Sequence, residues 1–377
     1  MTLFLFLKQI VDMLYQYRIL DYMMVVWVVL LLLYQVALVR PDIRKNVTLA
    51  DAIVILLAFL LTMTFVRSQS GYQIYFKVMS AFLIYFVGRI YYDRIKECYG
   101  ALVASSYIIV YASLTERIHR FGLALGTLRN ADGGFYFYDT DMAFAMILAM
   151  VFIAMFGKNS VLKLFTIFVV CPYMVLFSDA GIQVMLMLVI YVIIAIYVME
   201  LIFRKKKMFN LLLTFIVLGL IAVVVFIYLP AFGIDNVELL GRIFDSRFLD
   251  NSNMHTRYIA WKTVLAEVTK HGLTGELLGV GMGAEITVES LYIMIYYTLG
   301  YVGLLLTAML LMAVMYHVTK VEDRKTFYLM VIMAVVLLGT GVTVNSMEST
   351  QMSWFPLLFA GMVVSSVKET VEDKLNI

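Results

Sequence analysis

The stretch GIQVMLMLVIYVIIAIYVMELIFRKKK, residues 181–207, decides the fold class. From 181 to 203 it is almost entirely apolar, and it ends in the cations Arg204, Lys205, Lys206 and Lys207. A helix needs roughly 20 apolar residues to cross a bilayer, because lipid offers the backbone no hydrogen-bond partner and the helix must supply its own. A basic cluster directly after such a run is the mark of a cytoplasmic helix end.

Similar apolar runs lie on both sides of it, at about 22–39, 49–66, 72–92, 98–115, 135–157, 161–177, 209–229, 290–316, 326–344 and 352–367. With 181–203 these make eleven clear spans. Residues 1–20, which carry Lys8, Asp12 and Arg18, are either an interfacial helix or a twelfth span. The expectation is an all-α polytopic membrane protein of about twelve transmembrane helices, a single integral membrane domain over 1–377.

Composition points the same way. The chain has 377 residues, 63% of them hydrophobic and only 15% charged, with a mean hydropathy of +0.93. Soluble domains carry about 25% charged residues. The net charge of +3 is too small to imply a nucleic-acid partner. Two cysteines, Cys98 and Cys171, form no disulfide framework, and four scattered histidines form no metal cluster. No metal and no cofactor are expected.

Basic residues follow alternate spans: Arg40, Arg44 and Lys45; Arg89, Arg94 and Lys96; Lys158 and Lys163; Arg204 to Lys207; Lys320, Arg324 and Lys325; Lys368 and Lys374. If the helices simply alternate, all of these share one face, which the positive-inside rule makes cytoplasmic. The opposite face then holds the loop 116–134 and one long extracytoplasmic loop, 230–289. Within the long loop, TRYIAWKTVLAEVTKHG has the spacing of a short amphipathic helix.

Polar residues gather on that opposite face. Arg117, Arg120 and Arg129 stand where the insertion bias opposes them, and Arg242, Arg247 and Arg257 lie in the long loop. Planar guanidinium forks suit the diphosphate of a lipid-linked substrate, although any single arginine is more often a surface or headgroup contact. Asp139 and Asp141 stand at the mouth of the fifth span, Glu289 at the start of the ninth, and Asn345 and Glu348 in the last turn. Carboxylates entering apolar helices are costly unless they cap, pair or do chemistry. GVGMG, with Gly281 and Gly283, permits close approach to a ligand or a neighbouring helix. A base beside a sugar and arginines beside a diphosphate together allow glycosyl transfer without a metal.

Three features resemble the bacterial polysaccharide polymerase and O-antigen ligase superfamily. They are the many spans with one long outer loop, the string Arg257-Tyr-Ile-Ala-Trp261 followed by GVGMG, and Glu289-Ser290 opening a helix that continues into LGYVGLLL. Arg257 matches the family's arginine before a tryptophan, and Glu289 lies where members place a histidine or glutamate. There are departures: NADGGFYFYDTDMAFA stands where members carry Asn and Pro, and Ser178 is followed by Asp179 rather than arginine.

The resemblance implies an enzyme of the bacterial cytoplasmic membrane with its active site on the extracytoplasmic side. It implies polymerisation of undecaprenyl-diphosphate-linked oligosaccharide repeats into O-antigen, capsular or exopolysaccharide, by inverting transfer. Glu289 and Arg257 would be catalytic. Arg117, Arg120, Arg129, Arg242, Arg247, Asp139, Asp141, Gly281, Gly283, Asn345 and Glu348 would bind substrate. The partners would be lipid-linked donor and acceptor, membrane lipid, and a flippase and chain-length regulator. A ligase of the same fold and a transporter of lipid-linked oligosaccharide are the alternatives.

Overall fold

The computed structural model describes residues 1–14, 18–39, 47–68, 71–122, 136, 139–176, 178, 181–204, 252–281, 290–342, 347 and 349–375. Every regular element among them is helical. In chain order these are α1 (Thr2–Met13), α2 (Arg18–Tyr34, continued by a π turn Gln35–Val39), α3 (Leu49–Ser68), α4 (Tyr72–Ile90), α5 (Tyr92–Glu97) and α6 (Tyr99–Phe121). Then come α7 (Asp139–Phe156), α8 (Val161–Phe165), a π turn Thr166–Val170, α9 (Cys171–Leu176) and α10 (Gly181–Arg204). The last group is α11 (Ser252–Lys270), α12 (Gly272–Leu278), α13 (Leu291–Lys320), α14 (Arg324–Thr340) and α15 (Thr350–Leu375).

Twelve spans is not the architecture. Among the described residues, five helices are long and apolar enough to cross a membrane: Ile19–Ala37, Leu49–Ser68, Tyr72–Ile90, Ile182–Ile202 and Leu291–Lys320. The apolar runs do mark helices, but run length overstates helix length. The run 326–344 ends as α14 at Thr340, before the turn at Gly341 and Val342. The run 161–177 is split by a π turn just before Pro172, whose ring nitrogen has no hydrogen to donate. Residues 1–20 hold the 12-residue α1, too short to span, and its Lys8 and Asp12 are buried. Hydroxyls and charges interrupt α6, and α15 carries Pro356 in its interior. The run 209–229 lies outside the described residues.

Membrane character is nonetheless plain. Along α3, Leu57 and Leu61 are buried while Ile55, Phe59 and Met63 are more than half exposed. A helix apolar on every side belongs in lipid.

The chain divides into two compact units. One comprises Met1–Asp12, Tyr17–Ala101 and His255–Ile377; the other comprises Met13–Gln16 and Leu102–Met254. In the first, α4 and α15 make the closest pair. A Cβ on Gly88 would stand 2.0 Å from the Leu358 carbonyl oxygen, and one on Gly361 would stand 2.0 Å from that of Tyr85. Backbone meets backbone at this crossing, the usual role of small residues between membrane helices. Asp51 in the first turn of α3 takes both Arg89 Nε (3.1 Å) and Tyr85 Oη (2.9 Å) from α4. A second Arg89 nitrogen reaches Asp51 at 3.2 Å and a third reaches Ser365 at 2.8 Å. Arg89 is therefore held in a buried bidentate pair rather than standing as a lone basic loop residue.

The expected helix in 256–272 is present as α11. Its Val264 and Val268 are fully buried against Met294 and Tyr297 of α13, whereas Ile259 and Leu265 face outward. α13 breaks at Gly300, whose φ of 65° and ψ of −160° suit only glycine. The end of α12 packs into the break: a Cβ on Gly300 would lie 2.4 Å from the Leu277 carbonyl.

Candidate functional site

In the second unit, α6 ends, α7 begins, α9 ends and α10 begins at one end of the helices. α7, α9 and α10 pack on one another. Tyr111 of α6 shares a 2.9 Å hydrogen bond with Thr166, which ties α6 to the α8–α9 arm. At the opposite end, Lys163 donates to the last carbonyls of α7, Ala154 at 2.8 Å and Gly157 at 3.0 Å. That fixes the hairpin and uses Lys163 as a cap for the helix terminus.

The shared end is polar and buried. Arg117 is only 6% exposed, with its guanidinium carbon 5.9 Å from the centre of the Tyr173 ring on α9. Asp141 in the first turn of α7 is also buried, as are Tyr136 and Ser178. Ser178 donates its hydroxyl to Val175 at 2.7 Å, closing the end of α9. Ser113, one turn before Arg117 on α6, is buried with no hydrogen-bond partner for its hydroxyl. Gln183 in the first turn of α10 is fully buried, and neither Oε1 nor Nε2 has a partner among the described residues.

α7 and α10 both begin here, so their positive dipole ends and their unpaired amides point the same way. With a buried guanidinium beside them, this end is suited to an anion, and the amide and hydroxyls to neutral polar groups. Among the described residues no cluster of His, Cys, Asp or Glu has the makings of a metal site.

The expected site residues separate. Arg117 and Asp141 belong to this buried end. Arg120 does not join them: it is largely exposed and pairs with Glu116 at 2.8 Å, one turn back. Both arginines stand on α6 rather than in a loop, and Arg120 lies in a last turn whose carbonyls favour cations. Asp139 opens α7, and Arg257 lies in the first turns of α11 in the other unit. Gly281, at φ 136°, lies against Ser68 of α3, and Gly279 presses on the Thr298 backbone of α13. The glycines at 279 and 281 thus bring their segment close to neighbouring helices, and Arg67 at the end of α3 holds the Gly279 carbonyl at 2.5 Å. Arg129, Arg242, Arg247, Gly283, Glu289, Asn345 and Glu348 lie outside the described residues.

Sequence reasoning missed two groups. One is Gln183, a single amide inside a long apolar run. The other is a buried polar cluster in the first unit. There Lys8 donates to Asp12 and, at 3.3 Å, to Thr350 of α15. Thr350 donates to Asp21 at 2.8 Å, and Gln351 donates to the Asp12 carbonyl at 2.6 Å. Burial pushes the Asp12 carboxyl up to about 7, with Lys8 pulling it down and Asp21 pushing it further up. The signal for the cluster was visible: Lys and Asp four residues apart on an otherwise apolar helix.

No protein-family model matches the chain, and no curated protein matches it.

Proposed function

We propose that the protein is a membrane-embedded glycosyltransferase that polymerises undecaprenyl-diphosphate-linked oligosaccharide repeats into O-antigen, capsular or exopolysaccharide. The observation that carries this reading is Arg117: a guanidinium taken out of solvent, stacked near an aromatic ring, at the end of the unit where two helices present their N-termini. A guanidinium held at such an end presents planar, charged donors that match phosphate oxygens. A diphosphate in a membrane-adjacent site supplies both charge and acceptors.

The orientation follows from α10. Its C-terminal end runs into Arg204, Lys205, Lys206 and Lys207, which favour the cytoplasm. Its N-terminal end, with Arg117, Asp141 and Gln183 nearby in the same unit, then opens on the extracytoplasmic side of the bacterial plasma membrane.

In the proposed reaction an acceptor hydroxyl attacks the anomeric carbon of the donor sugar. The carbon–oxygen bond to the diphosphate breaks, its electron pair leaves with the lipid diphosphate, and the configuration inverts. Glu289 takes the hydroxyl proton, and Arg257 stabilises the charge that grows on the leaving group. The resemblance of the 257–303 region to the polymerase and ligase superfamily supports the roles of Glu289 and Arg257. No step requires a metal.

The test is purified protein in proteoliposomes supplied with an undecaprenyl-diphosphate oligosaccharide. The expected product is a ladder made without nucleotide sugar and abolished by Glu289→Gln. A single transfer to a different acceptor would make the protein a ligase. Unchanged donor appearing on the opposite leaflet would make it a transporter and end the enzyme reading.

A further inference from the structure

Gln183 is the least reconciled side chain among the described residues. It is fully buried, and both polar atoms of its amide lack a partner among the described residues. Each such atom loses its hydration and gains nothing in return, a penalty of about 1–3 kcal/mol per group. The residue heads the stripe Gln183, Leu186, Met187 and Ile190 that α10 buries, while Met185, Leu188, Val189 and Val192 face away. A leucine there would continue the stripe at no such cost.

The neighbourhood narrows what the amide is for. Arg117 and Asp141 occupy the same end of the unit, and Ser113, one turn from Arg117, also has an unpartnered buried hydroxyl. The carboxamide offers a donor and an acceptor side by side. An ionised phosphate satisfies only the donor, since it has no hydrogen to give back. A metal ion or ammonium satisfies only the acceptor. Besides an ordered water, the groups that answer both halves at once are a sugar hydroxyl and a secondary amide such as an acetamido substituent.

We propose that Gln183 hydrogen-bonds a hydroxyl or acetamido group of the sugar carried by the lipid-linked substrate. The inference rests on the reading of this end as a donor site. It adds that the sugar ring, not only the diphosphate, is held inside the second unit, and that Gln183 is a specificity-determining residue.

The experiment compares the wild-type chain with Gln183→Leu in phosphatidylcholine nanodiscs. The probe is undecaprenyl-diphosphate oligosaccharide, and the readouts are melting temperature with and without probe and the donor dependence of product formation. Without probe, Q183L is expected to melt a few degrees above wild type, because an unsatisfied amide has been removed. With probe, wild type gains stability and Q183L gains little. The donor concentration at half-maximal rate rises about 10- to 100-fold, as the loss of one or two hydrogen bonds requires. Gln183→Met serves as the second variant if Q183L does not accumulate.

A fall in melting temperature without probe, with donor dependence unchanged, would show a structural role and overturn the proposal. So would equal probe stabilisation of the two proteins, or a Gln183-dependent shift produced by phosphatidylglycerol nanodiscs alone, which would assign the hydroxyl to a lipid headgroup. Ladder formation with unaltered donor dependence in Q183L sinks this inference and leaves the polymerase reading standing. Gln183-dependent donor binding with no product does the reverse.

Discussion

The ammonium nitrogen of Lys8 lies 4.5 Å from the centre of the Trp354 ring, and both residues are almost completely buried. Trp354 in turn donates its indole N–H to Ser80 at 3.1 Å and stacks on Phe4. The short first helix is thus fastened to α15 by a cation held between a carboxylate, a hydroxyl and an aromatic face. A buried cation of this kind is stable only while its partners remain.

Removing one partner should therefore cost far more than removing both. At pH 8, Lys8→Ala removes the cation that holds the buried Asp12 carboxyl down, so Asp12 takes up a proton, and the variant is expected to lose about 1–3 kcal/mol of stability with the pair and its hydrogen bonds. The double variant Lys8→Met, Asp12→Leu should recover most of that loss. A denaturation cycle of the two single variants and the double in detergent checks it; equal losses in all three would remove the pair from the account.

The same cluster predicts a pH dependence with a definite sign. Burial raises the Asp12 carboxyl from 3.8 to about 7 in the folded protein, with Lys8 and Asp21 as the charged groups facing it. A raised carboxyl pKa means that the folded state binds the proton more tightly than the unfolded chain. Its stabilising contribution is full below about pH 4 and is lost as pH rises through 7. Melting temperatures measured from pH 4 to pH 8 should fall more steeply in wild type than in Asp12→Asn. Parallel curves would count against the raised pKa.

The α4–α15 crossing should tolerate no side chain. Gly361→Ala places a methyl group 2.0 Å from the Tyr85 carbonyl oxygen, a contact relieved only by separating the helices. The expected loss is about 3 kcal/mol or more, at the upper end of overpacking effects. It should appear as reduced folded yield and a lower melting temperature. Gly100→Ala, where no atom lies within 4 Å of the added methyl, is the control and should be close to neutral.

Arg117 and Arg120 should separate cleanly in the polymerisation assay. Arg117→Ala removes a buried guanidinium from the proposed diphosphate site and is expected to slow ladder formation by roughly 100-fold or more. Arg120→Ala breaks a half-exposed intrahelical pair with Glu116, outside the proposed diphosphate site, and should change the rate less than about threefold. Equal sensitivity of the two would move the anion site elsewhere.

Much of the helical layout was legible because apolar runs mark buried or lipid-facing helices whatever their tertiary partners. α3, α4 and α10 fall almost where the runs at 49–66, 72–92 and 181–203 place them. Helix ends were less legible. The run 326–344 is apolar beyond Thr340, yet α14 ends there, and the step from α-helix to π turn before Pro172 leaves hydropathy unchanged. The arginines could be singled out because they oppose an insertion bias, but burial distinguishes Arg117 from Arg120, and burial depends on packing that neighbouring residues do not encode. Arg89 resembled a loop cation because its partner Asp51 is 38 positions away. Gln183 carried no charge to draw notice, so the burial of its amide becomes evident only from the packed helices.

The break at Gly300 also decides how α13 can meet a lipid bilayer. An unbroken helix of 30 residues would be about 45 Å long, well beyond a hydrocarbon core of about 30 Å. The continuous segment Tyr301–Lys320 measures about 30 Å and matches that thickness without tilting or thinning the surrounding lipid. The preceding turns, Leu291–Leu299, are then released from matching the bilayer and packed against α11 and α12 instead. A single glycine thereby sets the depth at which this helix stops answering to lipid and begins answering to protein.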